Sequence, residues 1–265
     1  MAQNHTPLRS DLAWSTPDRI VVRGKDLANE LLGKINLGDM AFLELTGRLP
    51  TAQESIVFNA ILVTLVEHGV TPSALAARLT YAGAPESLQA AVAAGLCGLG
   101  TVFVGTMEGA AKMLYAALPR DRSASVDSAA LDRLAREIVD DHRARRAAIP
   151  GLGHPIHKPV DPRTLRLFAL AKENGLAGNY VALMQRIGAE AERALGRDLP
   201  INATGAIGAI SCELGFSDRI VRGFGVMARA VGLVAHLLEE SERPMALEIW
   251  HRAEDEASAH ARPKK

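Results

Sequence analysis

The sequence predicts an all-α fold, and three observations lead there. Apolar residues recur at three-and-four spacing from Lys25 onward almost without interruption, the pattern of helices that bury one face. Of 265 residues, 48% are hydrophobic but only 4% are aromatic, and a core of Ala, Leu, Gly and Val suits closely packed helices. No run reads as a convincing strand, and no internal repeat is visible.

Each element has its own signal. Residues 1 to about 20 are polar and proline-containing without periodicity, and are expected to run over the surface or a partner subunit. Leu27, Leu31, Leu32 and Ile35 keep helical spacing, with Gly38 as the stop. Thr51 and Glu54 form a capping box, each able to satisfy the other's backbone, at the start of an apolar helix through Val66 that runs into His68. A helix follows from Ser73 to Tyr81. The segment Glu86 to Leu99 is almost entirely small and apolar, which predicts burial on all sides, at a helix-rich centre or a subunit interface. Gly105 to Leu118 continues the theme, and the polar stretch 120–125 breaks it. Asp127 to Arg146 reads as an amphipathic helix ending in Arg143, Arg145 and Arg146, where cations suit the helix's negative end. Beyond the next loop, helices are expected over Pro162–Asn174, Asn179–Leu195, Asn202–Leu214 and Ser217–Glu240, with Gly205 and Gly208 permitting tight packing.

Length and charge bound the function. A chain of 265 residues buries one large core or two smaller lobes without staples. Lysine plus arginine equals aspartate plus glutamate at 30 each, so no global field recruits nucleic acid or an anionic membrane, and any anion must be bound locally. Cys97 and Cys212 sit in apolar, small-residue settings with no partner at metal-ligand spacing, and both are expected to be buried, reduced thiols. The first residues lack the charged-then-apolar pattern of a signal peptide, and no apolar run approaches the ~20 residues that span a bilayer. The expectation is a soluble, cytoplasmic protein.

The chemistry concentrates between Pro150 and Arg163. Gly151 and Gly153 can take backbone angles closed to other residues, so main-chain N–H groups and the His154 ring could approach a ligand closely beside mobile glycines. Asp161 is a good N-cap and Pro162 suits the first helical position, which puts Arg163 in the first turn, near the positive end of the helix. Anions should collect there. His154 and His157 are three apart, but Pro155 lies between them and no carboxylate partner is evident, so no metal is expected. Arg229 lies inside an apolar stretch, where it either reaches solvent or meets an anion.

The run Gly151-Leu-Gly153-His154 with Asp161-Pro162-Arg163 resembles the citrate synthase superfamily, which includes the citryl-CoA lyase module of ATP-citrate lyase. His68-Gly69, Ser73 and Ala76-Ala77-Arg78 match a second segment of that family, and Arg229 a third. The resemblance covers about Val21 to Glu240. It implies that His68 and His154 bind the organic acid's hydroxyl or carbonyl oxygen. It also implies that Arg163 and Arg229 grip its carboxylates, each capable of a bidentate contact. Pro150, Gly151, Leu152, Gly153 and Lys158 would lie against coenzyme A. It further implies a citrate synthase-like all-α fold of two helical domains, with residues 1–108 and 216–265 forming the large, dimer-forming one and 109–215 the small one. The site would lie in the cleft between them, in a homodimer or higher homo-oligomer.

Two departures are informative. Glu108 stands where citrate synthases have a catalytic histidine, and the surrounding Gly109-Ala-Ala-Lys112-Met is similar to the lyase module. Thr204 of Asn202-Ala203-Thr204-Gly205 stands where the family has its aspartate base. Threonine cannot take that proton at neutral pH, and losing a positioned base costs about 100- to 10,000-fold in rate. The resemblance therefore implies a citryl-CoA lyase-like enzyme that cleaves or forms a 3-hydroxyacyl-CoA, yielding acetyl-CoA and oxaloacetate or a related 2-oxo acid, with Glu108 or a group near Thr204 handling the proton. Alternatives are a non-catalytic acyl-CoA or tricarboxylate-binding homologue, or a lyase for a different hydroxyacyl-CoA.

Overall fold

A computed structural model describes residues 8–121 and 125–262. The expectations for residues 1–7, and for 122–124 within the polar break, lie outside the described residues. The chain divides into two compact units, 1–59 and 60–265.

The first unit corrects the expectation of a strand-free chain. Strands β1 (Ala13–Thr16), β2 (Arg19–Val22) and β3 (Lys25–Asp26) form an antiparallel sheet in the order β1-β2-β3, with Ala13 opposite Val22 and Val21 opposite Asp26. All four residues of β1 are exposed, so the strand carries no alternation for a sequence reading to find. The predicted helix around Leu27 is a single wide turn, Leu27–Leu31, capped by the Asp26 carboxylate. Gly38 is not its stop. Asn36 caps α1 (Leu37–Thr46) by accepting from the Asp39 N–H, and Gly38 lies in the first turn of that helix, where a Cβ would meet the Asn59 side chain at 2.1 Å. Val22, Leu31 and Leu43 form the small core of this unit, backed by Leu27, Ile35 and Met40. The Thr51–Glu54 capping box forms as expected at the start of α2 (Ala52–Val66): the Thr51 N–H donates to Glu54 and the Glu54 N–H to Thr51 Oγ1.

The second unit is a helical assembly: α3 (Pro72–Gly83), α4 (Leu88–Cys97), α5 (Gly105–Ala117), α6 (Ser128–Ala144), α7 (Pro162–Glu173), α8 (Asn179–Leu195), α9 (Ala203–Glu213), α10 (Asp218–Glu242) and α11 (Ala246–Ser258). The last of these was not anticipated. It follows Pro244, carries several charges and buries only Ala246. Helix α9 is buried along nearly its whole length and packs on α5, α7 and α8, while α10 packs on α3, α4 and α5. Glycines set the closest approaches: at Gly208 a Cβ would lie 2.7 Å from the Ala110 Cβ, and at Gly95 2.7 Å from Leu233.

Two further expectations are corrected here, on Cys97 and on the length of the apolar runs. Helix α4 buries only Ala91 and Gly95, so of the two settings expected for it the chain's own centre does not apply. Cys97, at its end, is exposed, whereas Cys212 is buried. Helix α10 is long and apolar enough by length and composition to cross a membrane, with 44% of its most apolar window buried inside the protein. Its buried face includes Arg229, His236 and Glu240 as well as Phe224 and Leu233, as a core helix's does.

Candidate functional site

The start of the Pro150–Arg163 loop is tied down at its two glycines. The Gly153 N–H donates to Pro200 O, the Asn202 N–H to Gly151 O, the Asn202 side-chain amide to Gly153 O, and Leu152 pairs with Ile201. Gly151 has φ +88°, and a Cβ there would sit 2.5 Å from the Gly205 Cα, so the glycine serves a close backbone crossing. The N–H groups of Leu152 and Gly153 are spent on Ile149 and Pro200. They hold the loop's shape. Pro150 packs against Gly109, while Lys158 is exposed.

That clamp presents His154. The backbone N–H groups of Ile156 and His157 both donate to His154 Nδ1, at 3.1 and 3.0 Å. An Nδ1 that accepts must be unprotonated, so the neutral ring carries its hydrogen on Nε2. Arg163 Nη2 lies 3.3 Å from that Nε2. Two donors thus lie side by side, and an oxygen acceptor between them would satisfy both. Arg163 is held there by Asp161, which caps α7 through the Arg163 N–H and grips the guanidinium at 2.8 to 3.0 Å. Burial alone would raise the Asp161 carboxyl. The hydrogen bonds and charge of Arg163, with the Ala203 N–H, outweigh it and hold the group below its ordinary value.

Across the hollow stands His68, in the turn after α2. Its ring centroid is 6.0 Å from His154 and 5.9 Å from His157, while His154 and His157 are 4.4 Å apart. Burial lowers the His68 pKa, and the charges of Arg163, His157 and Arg229 lower it further against the opposing pull of Asp161. His154 is lowered by burial, His157 and Arg163. Both rings therefore stay neutral at neutral pH. The charge of Arg229 is felt at His68, and its Nε donates to Leu65 O, three residues before that histidine. Arg229 is 9% exposed, its guanidinium touches only Leu65 O and Thr71 Oγ1, both at 3.4 Å, and among the described residues no carboxylate lies within ion-pair distance of it. Burial lowers its pKa. The charge of Glu67 opposes that only in part, and a buried guanidinium without a direct ion pair is a costly arrangement that an incoming carboxylate relieves.

The turn that carries His68 is fixed by α10. Arg229 Nε donates to Leu65 O, and at Gly232 a Cβ would meet Val66 O at 2.1 Å. His236 Nε2 pairs with Glu67 at 3.1 Å, and Glu67 accepts the N–H groups of His68 and Gly69. Behind them, the fully buried Arg78 donates to His236 Nδ1 at 2.9 Å and to Glu240 at 2.8 Å, and also contacts Glu239. Arg78 thus sets the tautomer that lets His236 donate to Glu67.

The two proton-transfer candidates from the sequence are otherwise engaged. Thr204 Oγ1 donates to the capping Asn202 carbonyl at 2.6 Å and accepts from Thr106 at 2.8 Å. Glu108, in the first turn of α5, pairs with Arg222 at 2.7 Å. His157 was considered only as a metal ligand with His154, yet the structure brings a third imidazole to them: His68, His154 and His157 hold ligand atoms within 4.8 Å of one another. The spacing admits a divalent cation, but His154 Nδ1 is taken by two N–H groups and its Nε2 faces Arg163. Two guanidiniums act on the cluster, and that field favours an anion. Beside the loop, a cavity of about 490 Å³ is lined by His142, Arg143, Arg146 and Arg197 over Ile149 and Leu152.

Residues 36–249 match the family described as citrate synthase, C-terminal domain. The structure of citryl-CoA lyase from Hydrogenobacter thermophilus is similar, with 32% identity and a TM-score of 0.77 over 88% of this chain and 86% of that one. The fold is shared with ATP citrate lyase from Methanothrix soehngenii in complex with citrate and coenzyme A, at 20% identity and a TM-score of 0.71 over 91% of this chain and 40% of that one. The probable ATP-citrate synthase of Dictyostelium discoideum is 21% identical over 94% of this chain. The chain spans 41% of the length of that relative. A family match over most of the chain, on a helical frame that carries the glycine loop and its histidine, shows that the chain belongs to the citrate synthase family.

Proposed function

We propose that the chain is a citryl-CoA lyase-like enzyme that cleaves, or forms, a 3-hydroxy-3-carboxyacyl-CoA thioester. The observation that carries this reading is the side-chain cluster itself: two neutral imidazoles, the His154 Nε2–H beside Arg163 Nη2 at 3.3 Å, and a buried Arg229 with no ion pair among the described residues. A tertiary hydroxyl flanked by carboxylates fits those donors. The 32% identity to a citryl-CoA lyase over most of both chains supports the same substrate class.

In cleavage, His68 accepts the proton of the tertiary hydroxyl as it becomes a carbonyl, and the His154 Nε2–H with Arg163 stabilises the developing negative charge on that oxygen. Arg163 and Arg229 hold the carboxylates. The bonding pair passes to the departing carbon and is held as the thioester enolate, which takes a proton to give acetyl-CoA. Coenzyme A would lie along Pro150–Gly153 and Lys158, with its phosphates in the arginine-lined cavity beside the loop, where Arg143, Arg146 and Arg197 supply the charge. Exposed Val231, Val234 and Leu238 on α10, together with the open small-residue face of α4, favour a second copy of the chain as partner. The two-domain division at 108/109 and 215/216 and the interdomain cleft belong to the same proposal.

Mixing the protein with citryl-CoA and following oxaloacetate by coupled reduction tests the reading; no release from citryl-CoA or close analogues ends it. A second reading, a binder without catalysis, is favoured by Thr204, whose hydroxyl is fixed by Asn202 and Thr106. Thr204→Asp separates the two: a large gain in cleavage supports a disabled enzyme.

A further inference from the structure

We infer that His157 is the catalytic residue that exchanges the proton at the thioester's α carbon, the position left without an acid or base by Thr204. The inference rests on the lyase reading and assigns its missing step.

Three observations converge on this side chain. The first is placement: His157 is half-buried, its ring lies 4.4 Å from His154 and 5.9 Å from His68, and its nitrogens lie within 4.8 Å of theirs. The second is availability. Among the described residues its ring nitrogens have no hydrogen-bond partner, whereas Thr204 is bound on both sides and Glu108 is ion-paired to Arg222. The third is the commitment of the other rings. His154 Nδ1 accepts two backbone N–H groups, one of them from His157 itself, so His154 offers a donor and no base. His68, opposite, remains as the acceptor for the hydroxyl proton.

The ring sits beside the neutral imidazoles of His68 and His154, with Arg163, itself held by Asp161, 3.3 Å from His154. The step then balances. Neutral His68 takes the hydroxyl proton, the carbon–carbon bond breaks as the carbonyl forms, the electron pair passes to the enolate, and the His157 imidazolium gives its proton to the α carbon. His157 is left neutral and His68 protonated. Ring nitrogens within 4.8 Å are close enough for one bridging water to return the proton to His157.

The test compares wild type with His157→Gln and His157→Ala in the full chain, reading citryl-CoA cleavage, citrate affinity by calorimetry, and deuterium incorporation into acetyl-CoA in heavy water with oxaloacetate present. The expected result is cleavage and deuterium incorporation lower by about 100- to 10,000-fold, citrate affinity within a few-fold, and partial rescue of His157→Ala by added imidazole. Cleavage within about threefold of wild type would overturn the inference while leaving the lyase reading intact. So would a loss of citrate affinity in proportion to the loss of rate, or loss of wild-type activity on chelation, which would make the cluster a metal site. An inert wild type would remove both.

Discussion

Replacing Gly232 with alanine tests how His68 is positioned. The added methyl would sit 2.1 Å from Val66 O, where ordinary contact begins near 3.4 Å, and also 2.9 Å from Glu67 Oε2. About 1.3 Å of separation is missing, and the obstacle is backbone rather than the end of a flexible side chain. Relief requires the end of α2 to move away from α10, carrying His68 two residues on and straining the Glu67–His236 pair at 3.1 Å. Overpacking of this kind costs about 1–3 kcal/mol, and misplacing a catalytic group by about 1 Å costs about 100-fold in rate. Gly223→Ala is the control on the same helix, because its Cβ would meet only the Ile220 side chain, at 3.3 Å and beyond. There the helix should gain about 0.5–1 kcal/mol from the lost backbone freedom. Thermal unfolding and citryl-CoA cleavage, measured on both variants, should move in opposite directions in stability, and only Gly232→Ala should lose activity. A Gly232→Ala protein with wild-type melting temperature and rate would refute the claim that α10 pins this turn.

Two further perturbations read other parts of the same framework. Removing Arg78, fully buried against Glu240 at 2.8 Å, as in Arg78→Leu, should destabilise by about 3–5 kcal/mol by leaving a buried carboxylate unpaired, seen as a marked fall in melting temperature; a change below about 1 kcal/mol would contradict the network. The pH dependence should have two stages. His68 and His154 are lowered in the folded state, so the unfolded chain binds more protons below about pH 6.5 and stability declines as pH falls from there. Asp161, Glu67 and Glu240 are also lowered, and Glu54 is held at about 2. Their contribution is full above about pH 4.3 and is lost as pH falls through the folded values. A melting temperature flat between pH 7 and 5, or unchanged there by His68→Gln, would contradict the first stage.

The parts of this molecule legible in sequence are those whose signals are local. Thr51 with Glu54, and Asp161 with Pro162 and Arg163, announce helix starts through contacts three residues apart or fewer, and both form. The family segments contain His68, His154, Arg163 and Arg229, and the structure brings His68, His154 and Arg163 together. What escaped depends on partners distant along the chain. Arg78 and Glu240 are 162 residues apart and His236 and Glu67 are 169 apart, so nothing in their spacing marks them as a support for His68. His157 and His154 are sequence neighbours, but the third ring, His68, arrives from a separate helix end. Gly38 was read as a terminator because glycine often is one, while its actual constraint is the crossing at Asn59. The exposed strand β1 and the polar helix α11 bury too little to leave a periodic trace.

The central claim is that His68, His154, Arg163 and Arg229 serve one bound acid. Calorimetric titration with citrate, in two buffers of different ionisation enthalpy, addresses it directly when run on wild type, Arg163→Gln and Arg229→Gln. Binding should be saturable and take up protons, because a carboxylate beside the lowered His68 raises its pKa. Both substitutions should weaken it by at least tenfold. Unchanged affinity in Arg229→Gln, or binding without proton uptake, would contradict the account.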